Sequence, residues 1–353
     1  MHIRFPLERR GRLKSLEFRG MMNFLAPIAA CTSTIVIALF LIRHSRTFGF
    51  LDLPSPRKIH LLPIPRSGGL AMFLSVFLVY GGSALLRKSS LPALPWQTSL
   101  AGIGFFVLGV LDDRYSFHPR KKIPVFLALS ILAAWPWALI FKTTGVCWVS
   151  GTWANSYFSL ATMSVLLICW FFAVPNAVNI EDAIDGYMGG YAFLILLFVS
   201  YRGVDTHIAM GAVFGFLVLN WPKAKHFMGD AGSYGCGFLI AEVILRADGM
   251  NHPFMALALT APISMDVAIG LLRRKCLGMS YLTADRKTLP HHLFAALTEK
   301  HTWCATPILL MIAACFIYLF ERHKIMAMLV ISYAITLVVA NRDALFKGKG
   351  RTR

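Results

Sequence analysis

Charge is scarce in this sequence, and acid is scarcer than base. Only 15% of the 353 residues are charged, where a soluble domain carries about a quarter. Seventeen Asp and Glu stand against 35 Lys and Arg, for a formal net charge of +18. The seven cysteines (Cys31, Cys147, Cys169, Cys236, Cys276, Cys304 and Cys315) form no CxxC pair, and most sit in apolar runs. That excludes a disulfide framework and a zinc signature. No repeat recurs at a solenoid period. The polarity of a disordered chain is also missing, since 57% of residues are apolar and the mean hydropathy is +0.62.

What the sequence does have is a succession of apolar runs, at about 23–42, 69–86, 97–111, 123–141, 160–178, 187–201, 207–222, 233–247, 253–272, 304–320 and 325–341. Hydrocarbon accepts only helices or closed barrels. The expected fold is therefore all-α, a polytopic membrane protein of about 11 transmembrane helices. Runs shorter than ~20 residues should extend into their flanking loops. The expected organisation is a basic N-terminal extension over 1–22, a single transmembrane domain over 23–341 and a basic tail over 342–353. No small-residue cleavage site precedes the first apolar run, so a signal peptide is not expected.

Basic residues set the orientation. Loops 43–68, 112–122, 179–186, 223–232 and 273–303 hold 17 Lys and Arg and the tail five more, against seven in the opposite loops. The first set is expected to be cytoplasmic, so the positive balance reflects topology and not a nucleic-acid partner. The six basic residues in 1–20 conflict with an odd number of spans, and a translation start at Met21 or Met22 would remove the conflict.

The acids gather on the same side. Asp112 and Asp113 follow an apolar run, with Arg114 next. Adjacent carboxylates repel unless a cation lies between them, and a hard divalent ion would serve. Asn176, Asn179, Asp182 and Asp185 repeat every three residues, a helical row of oxygen ligands ahead of Gly186. No Lys or Arg lies in 171–201 to neutralise its acids. Asp230 stands between Gly229 and Gly232 before the next run, where it could equally cap a helix. The 31-residue loop 273–303 carries Arg286 and the pair His291 and His292, suited to phosphate oxygens or proton relay, or simply to a solvated helix start after Pro290. The Pro-rich stretch 52–69 holds Arg57, Lys58, His60 and Arg66 at the membrane surface.

Taken in order, Asp52-x-Pro-x-x-Arg57-Lys58-x-His60, Asp112-Asp113-Arg114, Asn176-x-x-Asn179-x-x-Asp182-x-x-Asp185-Gly186 and Phe227-Met-Gly-Asp230-x-Gly-Ser233 resemble the polyprenyl-phosphate N-acetylhexosamine-1-phosphate transferases of the MraY/WecA type, over residues 50 to about 300. The resemblance implies a bacterial inner-membrane enzyme with its active site facing the cytoplasm. Such enzymes move a sugar-1-phosphate from a UDP-N-acetylhexosamine to undecaprenyl phosphate, release UMP and require Mg²⁺, with Mn²⁺ as a substitute. It implies metal ligation by Asn179 and Asp230 and catalytic roles for Asp112 and Asp113, to which we add Asp182, His291 and His292. Asp185 matches a nucleoside-binding position and Arg286 a diphosphate-binding one; Arg57, Lys58, His60, Arg66 and Asn176 complete the expected substrate contacts. A homodimer is compatible with the resemblance, and the sequence leaves the oligomeric state open.

The chain lacks a lysine at the spacing of the peptidoglycan branch, and 278–286 reads Gly-x-Ser-x4-Asp-Arg, so UDP-GlcNAc is the expected donor, for the first membrane step of an envelope polysaccharide. A phospho-MurNAc-pentapeptide transferase is the alternative, and an ion-coupled transporter the rival from another class. Ala183, Met279 and the spacing Asp285-Arg286 to His291-His292 depart from the family pattern, and they bear on the sugar. The expected chemistry is direct attack by the lipid phosphate, with Asp112 or Asp113 orienting it or taking its last proton; a covalent aspartyl intermediate is the other route.

Overall fold

The structure, a computed structural model, describes residues 6–54, 62–87, 95–144, 157–249, 253–280, 288–297 and 299–323. It is mostly helical. The elements are α1 (Pro6–Arg43), α2 (Ser45–Phe48), β1 (Leu51–Asp52), β2 (Ile64–Pro65), α3 (Gly68–Arg87), α4 (Trp96–Tyr115), α5 (Pro119–Thr144), α6 (Tyr157–Glu181), α7 (Tyr187–Tyr201), α8 (His207–Asn220), α9 (Gly229–Ile244) with a π-helical turn over Leu245–Gly249, α10 (Pro253–Cys276), α11 (Leu289–Ala296), a 3-10 turn over Glu299–Cys304 and α12 (Ala305–His323).

Ten of the eleven expected apolar runs fall on helices; the eleventh, 325–341, and the tail lie outside the described residues. Among the described residues, four stretches are long and apolar enough to cross a membrane: Phe24–Arg43, Pro119–Thr143, Leu160–Glu181 and Met255–Cys276. Their surfaces are those of a protein solvated by lipid. Val36, Phe40, Ile131, Trp135, Val165 and Leu166 all point outward, where a water-soluble bundle would bury them.

Two expectations need adjustment. The fold is not wholly helical, because β1 and β2 form a short antiparallel ribbon pairing Leu51 with Pro65 and Asp52 with Ile64. Helix α1 runs unbroken across the boundary placed at residue 22. As expected for runs shorter than ~20 residues, α4 and α6 continue past their apolar runs to Tyr115 and Glu181, and α9 starts at Gly229, ahead of residue 233. The helices thus carry polar residues beyond the apolar zone, to one shared end of the bundle.

Helix α9 is the centre of the packing. It is buried from Ala231 through Phe238 and again over Ile240–Ile244, and it packs against α3, α4, α6 and α7. Phe238 stacks between Phe105 at 5.5 Å and Phe171 at 5.7 Å, and Tyr234 meets the edge of Phe126 at 4.8 Å. Small residues bring the backbones together at the polar end. A Cβ at Gly109 would lie 2.4 Å from the Ala231 Cα, so only glycine lets the last turn of α4 rest on the first turn of α9. That contact places Asp112 and Asp113 beside Asp230.

Candidate functional site

At this end of the bundle, the C-terminal ends of α4, α6 and α8 meet the N-terminal ends of α3, α7 and α9. They enclose a cavity of about 1510 Å³. Its wall includes Asp52, Arg66, Asp113, Asp182, Asp185 and Asp230, with Trp221, Lys223 and Lys225 from the α8–α9 connection and His291, Phe294 and Trp303 from the chain after α10.

The adjacent aspartates of α4 have separate fates. Asp112 points away from the cavity and is 2% exposed. It accepts from Lys122 Nζ at 2.6 Å, Tyr234 Oη at 3.0 Å and the Phe117 N–H at 2.8 Å. Its counterion is therefore Lys122 of α5; Arg114, the neighbour in sequence, lies over the Tyr115 ring at 5.7 Å. Asp113 faces the cavity, and its two oxygens accept the N–H groups of Asp230 and Ala231, each at 2.9 Å. So Asp113 caps α9 from another helix and satisfies donors that a helix start leaves unpaired. Asp230, the cap suggested by sequence, sits inside the first turn. Gly229 makes this closure feasible: its φ is +70°, and a Cβ there would lie 2.7 Å from the Asp113 carboxylate.

The asparagine–aspartate row does not stay one row. Asn179 reaches from α6 to Asp230 Oδ1 at 2.6 Å and Ser233 Oγ at 2.7 Å. Asn176, one turn back, donates to the Phe172 carbonyl at 2.7 Å and does not line the cavity. Helix α6 stops at Glu181, and Gly186 at φ +77° redirects the chain, so Asp182 and Asp185 leave the helical register. Asp185 accepts the Ala224 N–H at 2.9 Å, and Asn220 ties Gly186 to the His226 carbonyl, with bonds of 2.7 and 2.8 Å. Asp182 lies on the wall and makes no side-chain hydrogen bond among the described residues.

These acids lie beyond the apolar spans, and burial governs their ionisation. Withdrawal from water, with Asp230 and Asp185 adding to it, pushes Asp182 up to about 7, although Arg66 opposes the rise. Burial, and then the charge of Asp230, raises Asp113, while its two backbone donors pull the other way. Asp230 is raised by burial and then by Asp112. Among the described residues, Arg66 opposes the rise at Asp113 and Asp182, and Lys122 opposes it at Asp230. Arg66 is hydrogen-bonded to Asp52 and lies 3.9 Å from Asp113. Carboxylates outnumber basic groups among the described residues of this wall.

That excess fits a hard divalent cation. The donors are all oxygens, from Asp113, Asn179, Asp182 and Asp230. Among the described residues, no three His, Cys, Asp or Glu close around one point. A bound Mg²⁺ would rest on one or two of these oxygens and complete its shell with phosphates and water.

Of the expected site residues, the structure brings Arg66, Asp113, Asp182, Asp185, Asp230 and His291 to one cavity, with Asn179 directly behind Asp230. Asn176, Asp112 and the exposed His292 are not on its wall. Arg57, Lys58, His60 and Arg286 lie outside the described residues. Sequence reasoning quoted Asp52 as a motif residue without a role, and missed Lys122, Asn220, Lys223, Lys225 and Tyr234. Lys122, Lys223 and Lys225 were visible only as loop charges marking the cytoplasmic side.

Comparison with known proteins agrees with this geometry. Residues 96–248, which include both α4 aspartates, the asparagine–aspartate row and Asp230, match the model of glycosyl transferase family 4. The match and the relatives bear out the resemblance to MraY/WecA-type transferases. A relative from Bacillus subtilis, "Probable undecaprenyl-phosphate N-acetylglucosaminyl 1-phosphate transferase", is 25% identical over 81% of each chain. The "Decaprenyl-phosphate N-acetylglucosaminephosphotransferase" of Mycobacterium tuberculosis is 26% identical over 80% of each. The "Undecaprenyl-phosphate alpha-N-acetylglucosaminyl 1-phosphate transferase" of Escherichia coli K12 is 27% identical over 74% of this chain and 73% of its own.

Proposed function

We propose that this protein transfers N-acetylglucosamine-1-phosphate from UDP-GlcNAc to undecaprenyl phosphate, with release of UMP, at the cytoplasmic face of a bacterial inner membrane. One observation carries the reading. Asp113, Asp182 and Asp230, far apart in sequence, share a cavity at the polar end of an apolar bundle, with Arg66 among them. Lipid acceptor and water-borne donor can meet only at such a boundary. The relatives' names support the sugar and the carrier, and the bias of basic residues supports the sidedness.

Both reactants are anions, and the site's own acids add to the repulsion. Asp230, with Asn179 holding its carboxylate, and Asp113 or Asp182 would bind Mg²⁺, which draws charge off a diphosphate when bound. The remaining work belongs to the chain. Lys223 and Lys225, exposed on the rim and free of ion pairs among the described residues, hold phosphate oxygens. Asp112, locked to Lys122 and Tyr234, fixes the end of α4. Asp182 is the wall carboxylate with no hydrogen-bond commitment, so it orients the acceptor phosphate or takes its last proton. An acceptor oxygen attacks the sugar-linked phosphorus, and the bond to UMP breaks with its electron pair. Positioning dominates such a step.

The test is incubation of membranes carrying the protein with labelled UDP-GlcNAc and undecaprenyl phosphate, followed by organic extraction. Labelled lipid with equimolar UMP, abolished by a chelator and restored by Mg²⁺, supports the reading. Absence of labelled lipid from active preparations overturns it, and label from another UDP-sugar reassigns the donor.

A further inference from the structure

Behind the cavity, a second polar junction joins α6, α10 and α11. Asp266, near the middle of α10, is 1% exposed and does not line the cavity. Its Oδ2 accepts the N–H of Leu289, the first residue of α11, at 2.5 Å. It also faces Glu181, the last residue of α6 and 0% exposed, and lies within charge range of Arg273 and His292. Asp266, Glu181 and Arg273 are all buried around this junction, and burying ionisable groups costs free energy unless they are paired.

The first turn of α11 supplies Asp266 with a partner. Helix α11 is eight residues long and packs on α12. Its opening N–H groups need acceptors, and a carboxylate there is favoured by the helix dipole. Asp266 satisfies the first of them from a neighbouring helix. Within the turn, Thr288 Oγ1 pairs with His291 Nδ1 at 2.8 Å and the Thr288 carbonyl accepts the His292 N–H at 3.1 Å. The outcome is His291 on the cavity wall beside Phe294, with Nδ1 engaged.

We propose that Asp266 is a positioning residue for the transfer: through the Leu289 N–H it fixes the start of α11 and holds His291 against the substrates. This rests on the transferase reading above. Glu181, at the end of the segment that carries Asn179 and Asp182, ties the same junction to the acidic wall.

The test compares purified full-length wild type with Asp266→Ala, Asp266→Asn, His291→Ala and the Asp266→Ala/His291→Ala double variant. Transfer kinetics are measured together with the rate at which diethyl pyrocarbonate modifies His291. Asp266→Ala should lower kcat by about 10- to 100-fold, the scale of a misplaced catalytic group, with a smaller change in KM. Asp266→Asn keeps an acceptor oxygen and should recover most of the loss. The double variant should be no slower than His291→Ala, because the two residues act as a unit. Leu289→Pro deletes the same hydrogen bond from the donor side at a helix position that tolerates proline. It should reproduce the Asp266→Ala loss, and it decides the matter if Asp266→Ala fails to fold; Leu289→Ala isolates the side chain's share. Wild-type kcat in Asp266→Ala, or losses that multiply in the double variant, overturns the proposal. A wild type that transfers nothing sinks the transferase reading instead; the His291 modification rate then decides this proposal alone, and an unchanged rate in Asp266→Ala ends it.

Discussion

Two acidic regions adjoin at the polar end of this bundle, and they are paired differently. On the α5 side, Asp112 has a lysine, a phenol and a backbone N–H; it does not line the cavity, though it still raises Asp230. On the cavity side, Asp113, Asp182 and Asp230 crowd one another, with Arg66 opposing the first two and Lys122 the third. Breaking the paired region should cost stability. The crowded region carries repulsion that a cation and a phosphate-bearing substrate would relieve. Adjacent residues of one motif, Asp112 and Asp113, fall on either side of this divide.

Four experiments sharpen or break the contrast. The largest effect should come from Asp230→Ala, expected to reduce transfer by roughly a thousandfold or more, beyond the loss of a single preorganised donor, with the protein still folded by thermal unfolding in detergent. Substantial turnover at saturating Mg²⁺ would move Asp230 out of the crowded region's chemistry. Next is Lys122→Ala, which strands Asp112 as a buried charge and should cost about 3–5 kcal/mol of stability. Pairing Lys122→Met with Asp112→Asn should restore most of it. If Lys122→Ala unfolds like wild type yet is inactive, the paired region is catalytic after all.

A smaller effect concerns His226, which is 0% exposed with neither ring nitrogen hydrogen-bonded among the described residues. Burial pushes it down to about 4. The unfolded chain, at an ordinary value near 6.5, binds the proton first, so the folded state loses stability as pH falls through the window from 6.5 to 4. Between pH 6.5 and 5.5 this share is roughly 1 kcal/mol. His226→Val should flatten that part of the pH profile of thermal unfolding, and an unchanged slope would refute it. The smallest effect is expected of Lys223→Ala and Lys225→Ala: about a severalfold rise in the donor KM with kcat held, since exposed charges contribute under about 1 kcal/mol each.

The legible part of this protein was its solvent. Runs of apolar residues announce helices in lipid wherever they lie, because hydrocarbon leaves the backbone no other partner. The acidic motifs were legible as well, since ionisable groups at the ends of apolar runs are costly and usually functional. Their detailed duties were not. The threefold spacing of Asn176, Asn179, Asp182 and Asp185 implied one helical face, yet Gly186 turns the chain and Asn176 bonds to its own helix. A cap role was open to Asp230 beside metal ligation, but the cap is Asp113, 117 residues away in sequence. The β1–β2 ribbon that delivers Asp52 and Arg66 gave no sequence signal, being two residues a side.

By itself the sequence determined an apolar helical bundle with its acids and bases biased to one side, because transfer free energies and loop charges act residue by residue. It also carried the resemblance to a family of transferases, through motifs that hold their order. Tertiary structure alone decided which carboxylate is neutralised and which is left in excess. A side chain's counterion is whatever another helix brings within about 3 Å, and close approach at positions such as Gly109 sets that distance.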